Sequence, residues 1–174
     1  MKRNLVVTLL ITVFMAPVAH GYGGLMYSQV EISDSDIDDV ETGNLGLVLG
    51  DVSLTGFGVE GFFSFTVAED SDSDLDIDTS IDVFAIMGVY RSPGPTYVKL
   101  KAGIAQVEVE IDQSGFGETN EEESGLTYGI AVGTEVGSGA LELSYTVLPE
   151  LEKIDDFEVD YDINMIGLTY LWGF

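Results

Sequence analysis

From residue 22 onward, apolar and polar positions alternate with period two in runs of eight to sixteen residues, the pattern of strands with one greasy face. The runs Leu25 to Ile32, Gly43 to Val52, Phe57 to Val67, Ser80 to Tyr90, Thr96 to Ile111, Gly125 to Glu135, Ala140 to Val147 and Ile163 to Phe174 predict eight strands. Ser53 to Gly56, Ser92-Pro93-Gly94-Pro95 and Val136-Gly137-Ser138-Gly139 carry the glycine and proline signals of short turns. The remaining connections are acidic: Asp34 to Glu41, Glu69 to Asp82, Asp112 to Glu123 and Glu150 to Asp162. Short turns and long acidic loops therefore alternate strictly, as in an up-and-down meander whose ends differ in kind.

The alternation also assigns faces. Leu126, Tyr128, Ile130 and Val132 share one face of the sixth strand, against Thr127, Gly129, Ala131 and Gly133. In the seventh, Leu141, Leu143, Tyr145 and Val147 oppose Glu142, Ser144 and Thr146. A bulky apolar face set against a small or polar one fits a barrel that turns its greasy side to lipid and its small side inward. The fourth strand is apolar on both faces, so its phase stays open. The fifth changes parity near Ala105 and Gln106, where either a bulge or a strand leaving the membrane accounts for the slip.

The chain opens MKRNLVVTLLITVFMAPVAHG, with Lys2 and Arg3, an apolar run from Leu5 to Ala16 and Ala19-His20-Gly21 as a small-x-small site. This predicts a secretory signal peptide over residues 1–21, removed to leave one domain over residues 22–174. No other stretch has the unbroken apolar length of a spanning helix, so passage through a membrane must be by strands. Beyond residue 21 there are four cations (Arg91, Lys99, Lys101 and Lys153) against all 31 carboxylates. No basic stripe exists to neutralise phosphates, which excludes nucleic acid as a partner. The absence of cysteine excludes a small disulfide-stapled scaffold.

The last strand carries a more specific signal. Ile166, Leu168, Tyr170, Trp172 and Phe174 fall on one face, three of them aromatic and the last one terminal. Such a strand resembles the closing strand of small bacterial outer-membrane β-barrels of the OmpA/OmpX type, a porin-like eight-stranded family. The resemblance implies an all-β, eight-stranded antiparallel up-and-down transmembrane β-barrel over residues 22–174. It also implies Leu168, Tyr170, Trp172 and Phe174 as an assembly signal read by the barrel-insertion machinery. Outer-membrane lipid and lipopolysaccharide would be its surroundings, and no cofactor is implied. Enzymatic barrels of this kind, the lipid A deacylases and palmitoyltransferases, use a His with a Ser, whereas this chain has no His beyond His20. No catalytic residue is therefore expected.

Two charge features remain. Lys99 and Lys101 have inward parity near a short turn, and Glu60 and Glu142 lie inward at a similar distance from the other two. Together they predict an interior ion cluster, either a structural plug or the lining of a pathway. Alternate carboxylates at Asp34, Asp36 and Asp38 and at Asp70, Asp72 and Asp74 are weak divalent-cation candidates, because they lack the Gly and the Glu of a calcium-binding loop. The sequence thus points to a non-enzymatic outer-membrane protein with acidic extracellular loops and a structural or surface-interaction role. A narrow channel or carrier for small solutes is the alternative, and a soluble ligand-binding barrel of lipocalin type is a third reading.

Overall fold

Each alternating run forms a strand, and the strands close on themselves. The computed structural model describes residues 21–34, 37–68, 70–72, 77–113, 117–150 and 162–173; the signal-peptide expectation lies outside them. The strands are β1 (Tyr22–Asp34), β2 (Ile37–Val52), β3 (Phe57–Ala68), β4 (Ile77–Arg91), β5 (Thr96–Gln113), β6 (Gly117–Val136), β7 (Gly139–Val147) and β8 (Asp162–Trp172). A short piece, Asp70–Asp72, continues β3 alongside β4. Every strand pairs antiparallel with its sequence neighbours, and β1 pairs with β8, so the ring of ladders has no open seam. Closure removes the sheet edges that would leave backbone groups unpaired in lipid.

The ladders set the geometry of the ring. Following the registers from Ile32 on β1 through Ile163 and Leu148, then, one residue past the last β6–β7 pair Tyr128↔Val147, through Thr127, Gly103, Met87, Glu60 and Gly50, the path returns to β1 at Tyr22. The return lies ten residues lower on the same strand, which is the stagger of the barrel. Strands about 4.8 Å apart with a rise of about 3.3 Å per residue then tilt by roughly 40° around a backbone radius of about 8 Å. The tight turn between β6 and β7 relies on Gly137, whose φ of 63° is a left-handed conformation that a side chain disfavours.

Allowing for that stagger, the barrel has two levels with opposite polarity. Near the short turns the outward face is apolar on every strand, for example Val98, Leu100, Ala102 and Ile104 on β5 and Ile166, Leu168, Tyr170 and Trp172 on β8. Farther up, the outward positions turn polar, as at Gln29, Asp82, Gln106, Glu108, Ser124 and Asn164. The inward face reverses in step: Val30, Ile81, Val83, Val107, Val109 and Ile163 fill the upper lumen and are buried. Below the switch the apolar face meets lipid; above it the same sheet meets water and keeps its apolar side chains inside.

This reversal resolves both ambiguous strands. The β5 ladders run without a break from Arg91↔Lys99 and Thr96↔Thr134 to Gln113, so the parity change at Ala105 and Gln106 needs no bulge. The strand leaves the lipid there. On β4 the phase is set by Ile81, Val83, Ala85, Met87 and Val89 facing in. The acidic stretches are also less loop-like than expected, since β6 begins at Gly117 and β2 at Ile37. Antiparallel pairing continues through them, β6 with β5 from Gly117 and β2 with β1 from Ile37. Asp82, Glu108 and Glu122 even stand directly opposite one another, a like-charge row that is tolerable only where solvent screens it.

Between the levels the lumen narrows its side chains. Ser28 faces Gly167, Gly46 faces Ser64, and Gly129 faces Thr146. A Cβ on Gly46 or Gly167 would come within 3.1 Å of Met26 Cε or 3.2 Å of its Sδ, so these glycines leave the room that Met26 occupies.

Candidate functional site

The lower lumen holds the most concentrated chemistry of the described residues. Glu60 comes from β3, Lys99 and Lys101 from β5 and Glu142 from β7, and the stagger brings all four to one level. Lys99 Nζ sits 2.9 Å from Glu60 Oε2 and 2.5 Å from Glu142 Oε1, while Lys101 Nζ sits 2.5 Å from Glu60 Oε1. Glu60 and Lys99 are fully buried and Lys101 retains 8% exposure. Two ammonium groups and two carboxylates balance, so the cluster carries no net charge into the low-dielectric interior.

Two tyrosines that the strand-parity argument did not single out complete it. Tyr22 donates from its hydroxyl to Glu60 Oε2 at 2.6 Å, and Tyr97 donates to Glu142 Oε1 at 2.8 Å. Each carboxylate thereby gains a neutral donor beside its lysine, which satisfies lone pairs that an ion pair alone would leave bare. Lys99 Nζ also lies 4.9 Å from the Tyr22 ring centroid. Arg91 closes the lower mouth: its guanidinium carbon stacks 3.8 Å over the Tyr97 ring, and its Nη2 bonds Glu135 Oε1 at 2.9 Å. A signal for Tyr97 existed, because it shares parity with Lys99 two residues away. Tyr22 had none, since its meeting with Glu60 depends on the registers that set both residues opposite Gly50 of β2.

The other candidates are placed differently. Asp34, Asp38, Asp70 and Asp72 belong to strand ends, and Asp36 and Asp74 lie outside the described residues. Among the described residues no group of three or more His, Cys, Asp or Glu side chains is arranged to hold a metal ion. Leu168, Tyr170 and Trp172 project outward from β8, each more than a third exposed, and Phe174 lies outside the described residues.

No curated protein matches the sequence. Among solved structures, neisserial surface protein A superposes with a TM-score of 0.71 at 12% identity, covering 89% of this chain and 97% of that one. The attachment invasion locus protein Ail of Yersinia pestis, crystallised with the heparin analogue sucrose octasulfate, gives 0.55 at 18% identity over 87% and 97%. OprG of Pseudomonas aeruginosa gives 0.55 at 11% identity over 87% and 96%. At such identities the likeness is one of fold. The sequence itself matches the outer membrane protein beta-barrel domain over residues 6–174, and with its closed eight-stranded ring, lipid-facing belt and inward ion cluster the chain belongs to that family of outer-membrane barrels.

Proposed function

We propose that this protein is a non-enzymatic surface barrel, closed to solutes, that holds acidic strand extensions and loops outside the cell in a structural or surface-interaction role. The observation that carries the reading is the lower lumen, where Glu60, Lys99, Lys101 and Glu142 are linked across the bore and capped by Tyr22 and Tyr97. An eight-stranded barrel is only wide enough for its own side chains. A solute would have to break paired, desolvated charges to pass, so a channel gains no support here.

Charge distribution supports the orientation. The described cations Arg91, Lys99 and Lys101 all lie near the short turns, whereas the outward carboxylates Glu31, Glu41, Asp82, Glu108 and Glu122 lie above the belt. Short turns toward the periplasm and longer connections outside are the usual arrangement of such barrels. The polyanion crystallised with Ail is not carried over to this chain. Its described surface above the belt offers carboxylates and no Lys or Arg, which repel a sulfated ligand and suit cationic partners or divalent ions shared with lipopolysaccharide.

Two measurements test the reading. Folded protein in planar bilayers should give no stepwise conductance; reproducible single-channel steps would replace the plug with a pathway. Protease added to intact cells should cut only within Asp34 to Glu41, Glu69 to Asp78, Gly117 to Glu123 or Glu150 to Asp156. Cutting at Ser92 to Pro95 in sealed cells would invert the orientation.

A further inference from the structure

Along β3 the outward face stays apolar past the height at which the neighbouring strands give up their apolar side chains. Phe57, Val59, Gly61, Phe63, Phe65 and Val67 share that face, and the Phe63 and Phe65 rings lie 6.1 Å apart. On β4, by contrast, Asp82 comes beside Phe65, one step beyond Ser64↔Val83, the last pair of the two strands. On β2, Gly43 and Glu41 follow Leu45 upward. Phe65 is 43% and Val67 48% exposed. Lipid is a poor cover for this ridge. Strands stand about 4.8 Å apart, so a hydrocarbon surface high enough to reach Val67 would also enclose the Asp82 carboxylate, which is costly to desolvate.

A bulge builds the ridge. The register with β2 skips Val67 between Asn44↔Thr66 and Gly43↔Ala68, and pairing with β4 stops at Ser64↔Val83 and resumes at Asp70↔Thr79. Side chains mend the gap in the wall. Thr66 Oγ1 accepts from the Ile81 amide at 2.7 Å and donates to the Ile81 carbonyl at 2.9 Å, and Asn44 Nδ2 donates to the same carbonyl at 2.6 Å. Bulges re-aim side chains, and this one holds Val67 outward above Phe65. Across the sheet the ridge meets charge. The row Leu45, Phe65, Asp82, Glu108, Glu122 crosses five adjacent strands, apolar on β2 and β3 and acidic on β4, β5 and β6. The stagger of the ring tilts this row, so that its apolar end lies nearer the lipid and its acidic end farther out. Ser80, Asp82, Glu108 and Glu110 line a cleft of about 90 Å³ in the acidic half.

We infer that this slanting row is a docking surface for a basic, apolar-ended segment of a partner protein. Its apolar side chains cover Phe65 and Val67 where the sheet leaves the lipid, and its lysines or arginines meet Asp82, Glu108 and Glu122. The inference rests on the surface-interaction role proposed above and names the chemistry of the partner. Charge complementarity selects this occupant: the three carboxylates stand directly opposite one another and repel, so cations brought among them relieve the repulsion while the apolar end removes the ridge from water. A simple cation would leave the ridge wet, and lipid alone would bury a carboxylate.

The test titrates the full chain, folded in phosphatidylcholine nanodiscs at low ionic strength, against a fluorescently labelled hexapeptide with blocked ends, leucine-leucine-glycine-lysine-lysine-lysine. Extended, it spans about 20 Å, the width of the row. Its anisotropy should rise with loaded discs and not with empty ones. Replacing its leucines by glycine, or its lysines by glutamine, should weaken binding at least about tenfold. The pair Phe65→Ser and Val67→Ser should do the same, as should the pair Asp82→Asn and Glu108→Gln, whereas Glu31→Gln on β1, outside the row, should leave binding unchanged. Binding no greater than that of empty discs overturns the inference, as does equal binding of the glycine-substituted peptide or unaltered affinity in the Phe65 and Val67 variant. If a variant does not fold, as judged by heat-modifiable gel mobility, the peptide series on the unaltered chain decides alone. None of these readings depends on conductance or on which end of the barrel faces outward. Stepwise conductance, or cutting at Ser92 to Pro95 in sealed cells, would therefore strike the proposed function and leave the docking result standing.

Discussion

Replacing Lys99 with methionine removes the one group that bonds both buried carboxylates. Glu142 would keep only the Tyr97 hydroxyl, and Glu60 would keep Lys101 and Tyr22. Taking one partner from a buried pair typically costs about 3 to 5 kcal/mol, because a bare charge remains in a medium that cannot solvate it. Lys99→Met should fall in that range, and Lys101→Met below it, since Lys101 touches one carboxylate and retains some exposure. Adding Glu142→Gln to Lys99→Met should recover a large part of the loss, because the amide no longer needs a cation. The interaction energy of the Lys99–Glu142 cycle should therefore be at least about 1 kcal/mol, well above the few tenths expected of independent sites. Replacing all four charges with apolar residues of similar volume should come close to neutral, provided that Tyr22 and Tyr97 become Phe so that no hydroxyl is stranded. Urea titration of the folded barrel in micelles, followed by heat-modifiable gel mobility, measures each variant. Strict additivity across the cycle would refute the coupled plug and point to a hydrated interior in which each charge is solvated separately.

Three further outcomes are expected. Tyr97→Phe deletes a donor to the Glu142 carboxylate and should cost about 1.5 to 3 kcal/mol in the same titration; a loss below the measurement error would mean that solvent already serves Glu142. Ala102→Arg places a charge near the middle of the belt and should cost about 2 to 4 kcal/mol, whereas Gln106→Arg, two outward positions away on the same strand, should cost at most about 1; equal costs would misplace the belt. Deleting Phe174 should lower the amount of folded protein in the outer membrane far beyond its share of buried area, and unchanged levels on outer-membrane fractionation would remove the terminal strand as an assembly signal.

Much of the fold was legible because a lipid-facing strand is a local statement. Period-two alternation at Leu126 to Gly133 or Leu141 to Val147 assigns a face whatever the neighbours do, and Pro93, Gly94 and Gly137 mark turns by their own backbone preferences. The inward parity of Glu60, Lys99, Lys101 and Glu142 was available on the same terms. What could not be read along one strand was height. Which inward residues meet depends on the ten-residue stagger of the closed ring, a property of eight pairings at once. Tyr22 reaches Glu60 by a different tertiary fact: both stand opposite Gly50 of β2, whose missing side chain leaves room for the tyrosine ring. The acidic stretches read as loops because clustered carboxylates disfavour a strand in isolation; tertiary pairing with β5 overrides this for β6 from Gly117 onward. The parity change in β5 was visible in the sequence, but its cause was not. Only the intact ladders on both sides of Ala105, with Val107 and Val109 packed inside and Glu108 outside, assign it to the level at which the barrel exchanges lipid for water and so reverses which face must be apolar.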